Sequence, residues 1–364
     1  MIPAFDAYRN KSEFRSLDGL RCLSILAVIW HHSGTSNNAW HALNMGFLGV
    51  DLFFVISGFL IVTLLLRERA ASGGISLRKF YIRRTLRIFP LYYSLILSMA
   101  LIYCTVNTHS PFGQGLVRDL PYYLTYTADF VPVGLGIVWS LAAEEQFYLL
   151  WPSLERYLSK FVIPLLVVLI LFNQLINFSQ GKSAISAVVG STDWSRLSIF
   201  QTTFTPILLG VGAAHLLHDG RGYKLAGYLT GSGWASALWC IALVVLMTVM
   251  PQDISGWPRL ALQLCMAALV TSCVYREDHA LASLLTSGAM QRIGRVSYGI
   301  YLFHVLIIGL LIQVLHLHPG ENHNLLFPVA VMATFATADL SFRFFESPIL
   351  RLKARYSVVH QRHI

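Results

Sequence analysis

The chain has 364 residues, of which 55% are hydrophobic and only 12% charged. A water-facing globule ordinarily carries about 25% charged residues, so a soluble fold is excluded and a helical bundle in a bilayer is the economical alternative. The net charge of +9 does not point to nucleic acid, because the basic residues gather at the ends of apolar segments, where loops that stay in the cytoplasm concentrate Lys and Arg.

Taken in chain order, hydropathy predicts ten membrane spans: 17–34, 46–66, 84–105, 138–154, 161–178, 198–217, 228–249, 258–275, 296–316 and 325–345. The segment 138–154 is the weakest, being short and carrying two glutamates. The first apolar run follows a polar, charged N-terminal stretch and lacks a small-residue cleavage site, so it reads as an uncleaved span. With a cytoplasmic N-terminus, all of the 27 Lys and Arg except Arg118, Lys182, Arg196 and Arg259 fall on the cytoplasmic side. One span more or fewer would invert the downstream half and blur that asymmetry. The fold expected is therefore an all-α integral membrane protein of about ten helices, both termini cytoplasmic. Residues 1–350 form one transmembrane domain and 351–364 a basic tail. The longest connections, 105–137 and 179–197, lie outside and could cover a site on the outer face. No internal repeat is evident, which disfavours a transporter built from two related halves. Cys22, Cys104, Cys240, Cys265 and Cys273 show no metal-ligand spacing and read as small core residues.

Ionisable residues inside a bilayer are costly and mark the place to look for chemistry. In the first span Arg21 and His32 are eleven residues apart, which is three helical turns plus about 20°, so they share a face at a separation of about 16 Å. Arg21 lies near the cytoplasmic end and His32 near the outer end, whereas His31 points about 100° away from His32. Asp51, in the outer third of the second span, has a depth similar to His32 and could hold a histidine tautomer; it could equally be a helix-starting aspartate. Gly46, Gly49 and Gly58 would allow close helix approach. The segment between spans two and three carries Arg67, Arg69, Arg78, Lys79, Arg83, Arg84 and Arg87. It serves as a positive-inside anchor, yet Arg84 and Arg87, three apart on one face, also suit bidentate binding of phosphates. Glu144 and Glu145 share a span. His304 sits near mid-membrane, where a structural polar contact is the simpler reading. Near the last span, Arg343 and Glu346 are spaced to pair, close to Asp339. Trp40, Tyr122, Tyr123, Tyr126, Trp194 and Trp257, in outer connections or at their edges, could stack on sugar rings or form an interface belt.

Six stretches, RSLDGLR with the Arg21-to-His32 spacing, GFLGVDLFFVISGFL, FYIRRTLRIFPLYY, VWSLAAEEQFYLLWP, SYGIYLFH and FFESP, occur in one order over nearly the whole chain. Together they resemble the acyltransferase-3 family. That resemblance implies a ten-helix enzyme of the inner (plasma) membrane that takes an acyl group from cytoplasmic acyl-CoA, usually acetyl-CoA, to a hydroxyl, commonly on a cell-surface or exported glycan. It places the family's arginine–histidine pair on Arg21 and His32, its RxxR pair on Arg84 and Arg87 with Arg83 preceding, its aspartate on Asp51 and its glutamate on Glu144. Cys22 stands where many members have Gly or Ala. A secreted hydrolase-like domain, which some members append, is not expected. The roles expected are His32 as general base oriented by Asp51 or Glu144, with Arg21, Arg83, Arg84 and Arg87 holding coenzyme A phosphates, and no metal. Rival readings are a succinyl donor, a small-molecule acceptor such as a macrolide, a transporter or flippase of lipid-linked glycans, and a non-catalytic export partner.

Overall fold

The computed structural model describes residues 5–11, 13–34, 41–178, 187, 204–251, 254–317, 322–353 and 356. Almost all of the loop 179–197, the start of the sixth predicted span, Trp40, Trp194, Lys182, Arg196 and most of the tail 351–364 lie outside them. Among the described residues the chain is all-helical, with no strand. Its principal helices are α1 (Arg15–His32), α2 (Gly49–Ser72), α3 (Leu77–Thr105), α4 (Val138–Tyr157), α5 (Val162–Asn177), α6 (Thr205–His218), α7 (Gly220–Thr230), α8 (Ala235–Val249), α9 (Trp257–Tyr275), α10 (Gly288–Arg295), α11 (Ser297–Leu315) and α12 (His323–Ser341). Each of the ten predicted spans falls on one or more of these.

Five stretches, Gly46–Ser72, Leu77–Thr105, Trp257–Tyr275, Ser297–Leu315 and His323–Leu352, are long and apolar enough to cross a membrane among the described residues. A sixth is obtained if α7 and α8 count as one span broken by a 63° bend. Rows of large apolar side chains, among them Leu149, Leu150, Leu171, Leu175, Leu238 and Ile241, remain exposed. An apolar surface of that kind is what a lipid-facing protein presents, and the chain is a membrane protein, all-helical among the described residues.

Local chemistry explains where the helices depart from the predicted spans. α3 begins seven residues earlier than hydropathy places it, because the Ser76 hydroxyl caps it by accepting from Lys79 N at 3.4 Å. Arg83, Arg84 and Arg87 are consequently helical. The span predicted over 228–249 breaks at Gly231, Ser232 and Gly233, residues of low helix propensity, and the freed Gly231 carbonyl accepts from Arg276 Nη1 at 3.1 Å. Beyond α12, residues Phe342–Glu346 form a π-helical turn, which shifts the side-chain register. Arg343 is there paired with Asp339 at 2.7 Å, a different partner from the Glu346 that spacing alone suggests, and Arg292 of α10 joins the same carboxylate at 2.6 Å.

The chain divides into two compact units. The first comprises Met1–Ala71, Thr205–Ser347 and Val358–Ile364; the second comprises Ser72–Phe204 and Pro348–Ser357. In the first unit, helices meet through glycines. A Cβ at Gly46 would lie 2.3 Å from the Ala27 carbonyl oxygen, one at Gly49 2.3 Å from that of Ser24, and one at Gly58 2.0 Å from that of Ile207. Gly210 answers from α6, its Cβ position 2.1 Å from the Val55 oxygen. Lipid gives no hydrophobic drive for helices to associate, so such backbone-to-backbone packing holds them. Gly210→Ala must push α2 and α6 apart and is expected to cost about 1–3 kcal/mol, read as a lowered thermal midpoint in detergent; an unchanged midpoint would contradict the close packing. His279, in the connection after α9, ties two further helix starts together, with Nε2 2.8 Å from Ser16 Oγ and Nδ1 3.0 Å from Ser236 Oγ. Burial pushes its pKa down to about 4, so the ring is neutral near pH 7.

In the second unit, the connection 105–137 is ordered by two short helices, Pro111–Arg118 and Leu120–Leu124. Asp119 closes it, accepting from Arg118 Nε at 2.8 Å and from Gly134 N at 2.9 Å; the Arg118 guanidinium holds its carboxyl below the usual carboxylate range.

Candidate active site

The first unit carries a histidine pair. α1 runs unbroken from Arg15 to His32, so the helical geometry that puts Arg21 and His32 on one face three turns apart is preserved. At its C-terminal end, His32 is exposed. Its Nδ1 lies 2.9 Å from the Val28 carbonyl and 3.3 Å from Nε2 of His304. His304, on α11, is fully buried, with its own Nδ1 2.6 Å from the Tyr301 carbonyl. The two imidazoles meet edge to face at 4.9 Å, and His31 packs edge to face on His32 at 5.2 Å. At the other end of the helix, Arg21 is bound to Asp18 one turn earlier at 3.0 Å.

Among the described residues Asp51 is bonded to α9 and makes no bond to His32. Its side chain is almost completely buried in the first turn of α2. One carboxylate oxygen accepts from Arg259 Nη2 at 3.3 Å and the other from Gln263 Nε2 at 2.8 Å, both on α9. A carboxylate with both oxygens committed to a guanidinium and an amide is an inter-helix anchor. Hydropathy had registered Arg259 only as one of the four outside cations, and Gln263 had drawn no attention. The signal was nevertheless there: a polar pair at i and i+4 on an apolar helix presents one face to one partner.

The second unit carries the basic segment and the glutamates. The guanidinium of Arg84 lies 3.7 Å from the centre of the Tyr148 ring, and the Tyr148 hydroxyl donates to the Glu144 carboxylate. Glu145 lies within electrostatic reach of Arg84. Arg83 donates to the Tyr356 carbonyl at 2.8 Å. Two separate sequence stretches, FYIRRTLR and WSLAAEEQFY, are thus joined through Tyr148, a residue that sequence reasoning passed over although Glu144 and Tyr148 are again an i, i+4 pair. The aromatics divide: Tyr122 and Trp257 are exposed, whereas Tyr123 and Tyr126 are buried. Tyr126, with a left-handed φ of 53°, stacks on Tyr92 at 4.5 Å. Neither of those two offers a surface for a sugar ring.

What these groups can do follows from their chemistry. An exposed imidazole backed by a buried polar partner can move a proton, and guanidiniums in an arginine-rich helix can bind phosphate. Comparison with known proteins bears on the same stretches. Residues 14–343 match the profile of a family described as Acyltransferase domain. The peptidoglycan O-acetyltransferase OatA of Listeria monocytogenes is 31% identical, over 92% of this chain and 55% of that protein. The putative peptidoglycan O-acetyltransferase YrhL of Bacillus subtilis is 30% identical, over 92% and 54%. A putative O-acetyltransferase of Staphylococcus aureus is 27% identical, over 94% and 58%. The chain spans a little over half the length of each of these relatives. No solved structure matches.

Proposed function

Because this chain belongs to the acyltransferase-3 family, we propose that it is an O-acetyltransferase of the plasma membrane that moves an acetyl group from cytoplasmic acetyl-CoA to a hydroxyl of a cell-wall glycan. The ten-span topology with both ends in the cytoplasm, read from hydropathy and charge, belongs to the same proposal, as does a single catalytic domain over 1–350. The observation that carries it is the exposed His32 imidazole, backed at Nδ1, on the helix that also bears Arg21. His32 removes the proton of the acceptor hydroxyl, and the oxygen attacks the thioester carbonyl. Coenzyme A leaves as its thiolate, which takes up a proton. Arg83, Arg84 and Arg87 bind the donor's phosphates, and Glu144 holds the Tyr148 ring on which Arg84 rests. The names of the Listeria and Bacillus relatives favour peptidoglycan as the acceptor.

The test is reconstitution of the purified chain in proteoliposomes with isotope-labelled acetyl-CoA, peptidoglycan fragments and other cell-surface glycans. Labelled acetyl ester on the peptidoglycan fragments is expected. Transfer only to another glycan would overturn the acceptor, and transfer only from another acyl-CoA would overturn the donor. In the same system Arg87→Ala is expected to weaken acetyl-CoA binding by about 10–100-fold, as loss of a charge-assisted hydrogen bond does. Unchanged donor affinity by calorimetry would remove Arg87 from the donor site.

A further inference from the structure

The hydrogen bonds around the two histidines determine which nitrogens carry protons. A backbone carbonyl can only accept. His304 Nδ1, 2.6 Å from the Tyr301 oxygen, therefore carries its proton, and the neutral ring presents a lone pair at Nε2. His32 Nδ1, 2.9 Å from the Val28 oxygen, can donate there when it carries the proton of the neutral ring. That N–H is shared with the His304 lone pair at 3.3 Å. With both rings neutral, this arrangement satisfies all three contacts. His32 is left with an unprotonated Nε2, which has no hydrogen-bond partner among the described residues and belongs to an exposed side chain.

We propose that His304 is a positioning residue that holds His32 in its Nδ1-protonated tautomer, so that Nε2 is the basic nitrogen presented to the acceptor hydroxyl. This rests on the reading of His32 as general base and adds to it the group that orients the base, a task for which depth alone suggested Asp51. The arrangement differs from an aspartate-backed histidine because its backing group is a neutral ring. A buried carboxylate would need a cation or several donors to offset its loss of hydration, whereas a second imidazole supplies the acceptor lone pair with no net charge. Once the hydroxyl proton arrives on Nε2, the imidazolium keeps Nδ1–H directed at Val28 O and His304 Nε2, and both acceptors stabilise it. His304 is itself held by the Tyr301 carbonyl on its own helix, so α11 sets the ring's direction.

The experiment is nitrogen-15 NMR of histidine-labelled protein in nanodiscs, with His32 assigned by its absence in His32→Ala, alongside kcat and KM for acetyl transfer. Wild type is expected to show His32 with a protonated Nδ1 and an unprotonated Nε2. In His304→Ala the tautomers should mix, and kcat should fall by about 10–100-fold, as removal of a residue that orients a functional histidine does, with KM for acetyl-CoA unchanged. His304→Gln, whose amide oxygen can reach the place of Nε2, should restore both the tautomer and most of kcat. If His304→Ala disturbs folding, the Gln variant alone decides: its tautomer and kcat must stay near wild type. A His32 tautomer unchanged in His304→Ala, or one that changes while kcat does not, overturns the proposal. Failure of the base assignment shows separately, as His32→Ala that still transfers acetyl groups.

Discussion

His32→Ala is expected to lower acetyl transfer by about 10²–10⁴-fold, the range a general base supplies, while the chain stays folded. The fold should survive because His32 is exposed and its two hydrogen bonds are modest, one to the carbonyl of its own helix and one to His304. The alanine leaves His304 Nε2 without that donor, a loss of about 1 kcal/mol, but the Tyr301 contact persists. Donor affinity should be preserved, since the arginines of α3 are untouched. Turnover, acetyl-CoA binding and thermal midpoint measured on one preparation separate these effects. A variant with wild-type turnover removes His32 from the chemistry. One that fails to fold at 25 °C would show that the ring is a structural element.

Asp51→Ala is expected to act in the opposite sense, through stability. Removing the carboxylate strands the Arg259 guanidinium in a poorly hydrated site and deprives Gln263 of its acceptor. Breaking a buried ion pair from one side costs about 3–5 kcal/mol, and the partial exposure of Arg259 places the cost toward the lower end. The Arg259 Nε is already buried without a partner among the described residues. Asp51→Asn keeps an acceptor for one donor and should fall between wild type and alanine. Asp51→Leu combined with Arg259→Met removes both charges and should recover much of the lost stability, because two apolar side chains carry no desolvation cost. Unfolding in detergent measures all three. An Asp51→Asn protein with the wild-type midpoint and no activity would show instead that the aspartate takes part in the reaction.

These two residues show what could be read from the chain. Arg21 and His32 were legible as a pair because both lie on one helix, and helical geometry fixes the relation of residues eleven apart without reference to anything else. Gly46, Gly49 and Gly58 were legible as close-approach positions because only a missing side chain lets backbones meet, and each abuts a carbonyl oxygen. The partner of Asp51 was not legible. Depth along the membrane is a single coordinate, and His32 and Arg259 satisfy it equally; only the azimuth of each helix and the choice of neighbours distinguish them. The structural polar contact expected of His304 could not be traced to His32 for the same reason, since 272 residues separate the two.

Composition and periodicity by themselves determined that the chain is helical, that it belongs in a membrane and which segments carry its costly polar groups. Those properties depend on transfer free energy and on relations within one helix, and both are local. The six ordered stretches also pointed to the family that the comparisons establish. Tertiary structure alone decided that Asp51 is an anchor between α2 and α9, that Tyr148 joins Arg84 to Glu144, that Arg343 goes to Asp339 through a π turn, and that His304 backs His32. Each is a contact between groups whose mutual orientation is set by packing, and packing is a property of the whole fold that no single segment contains.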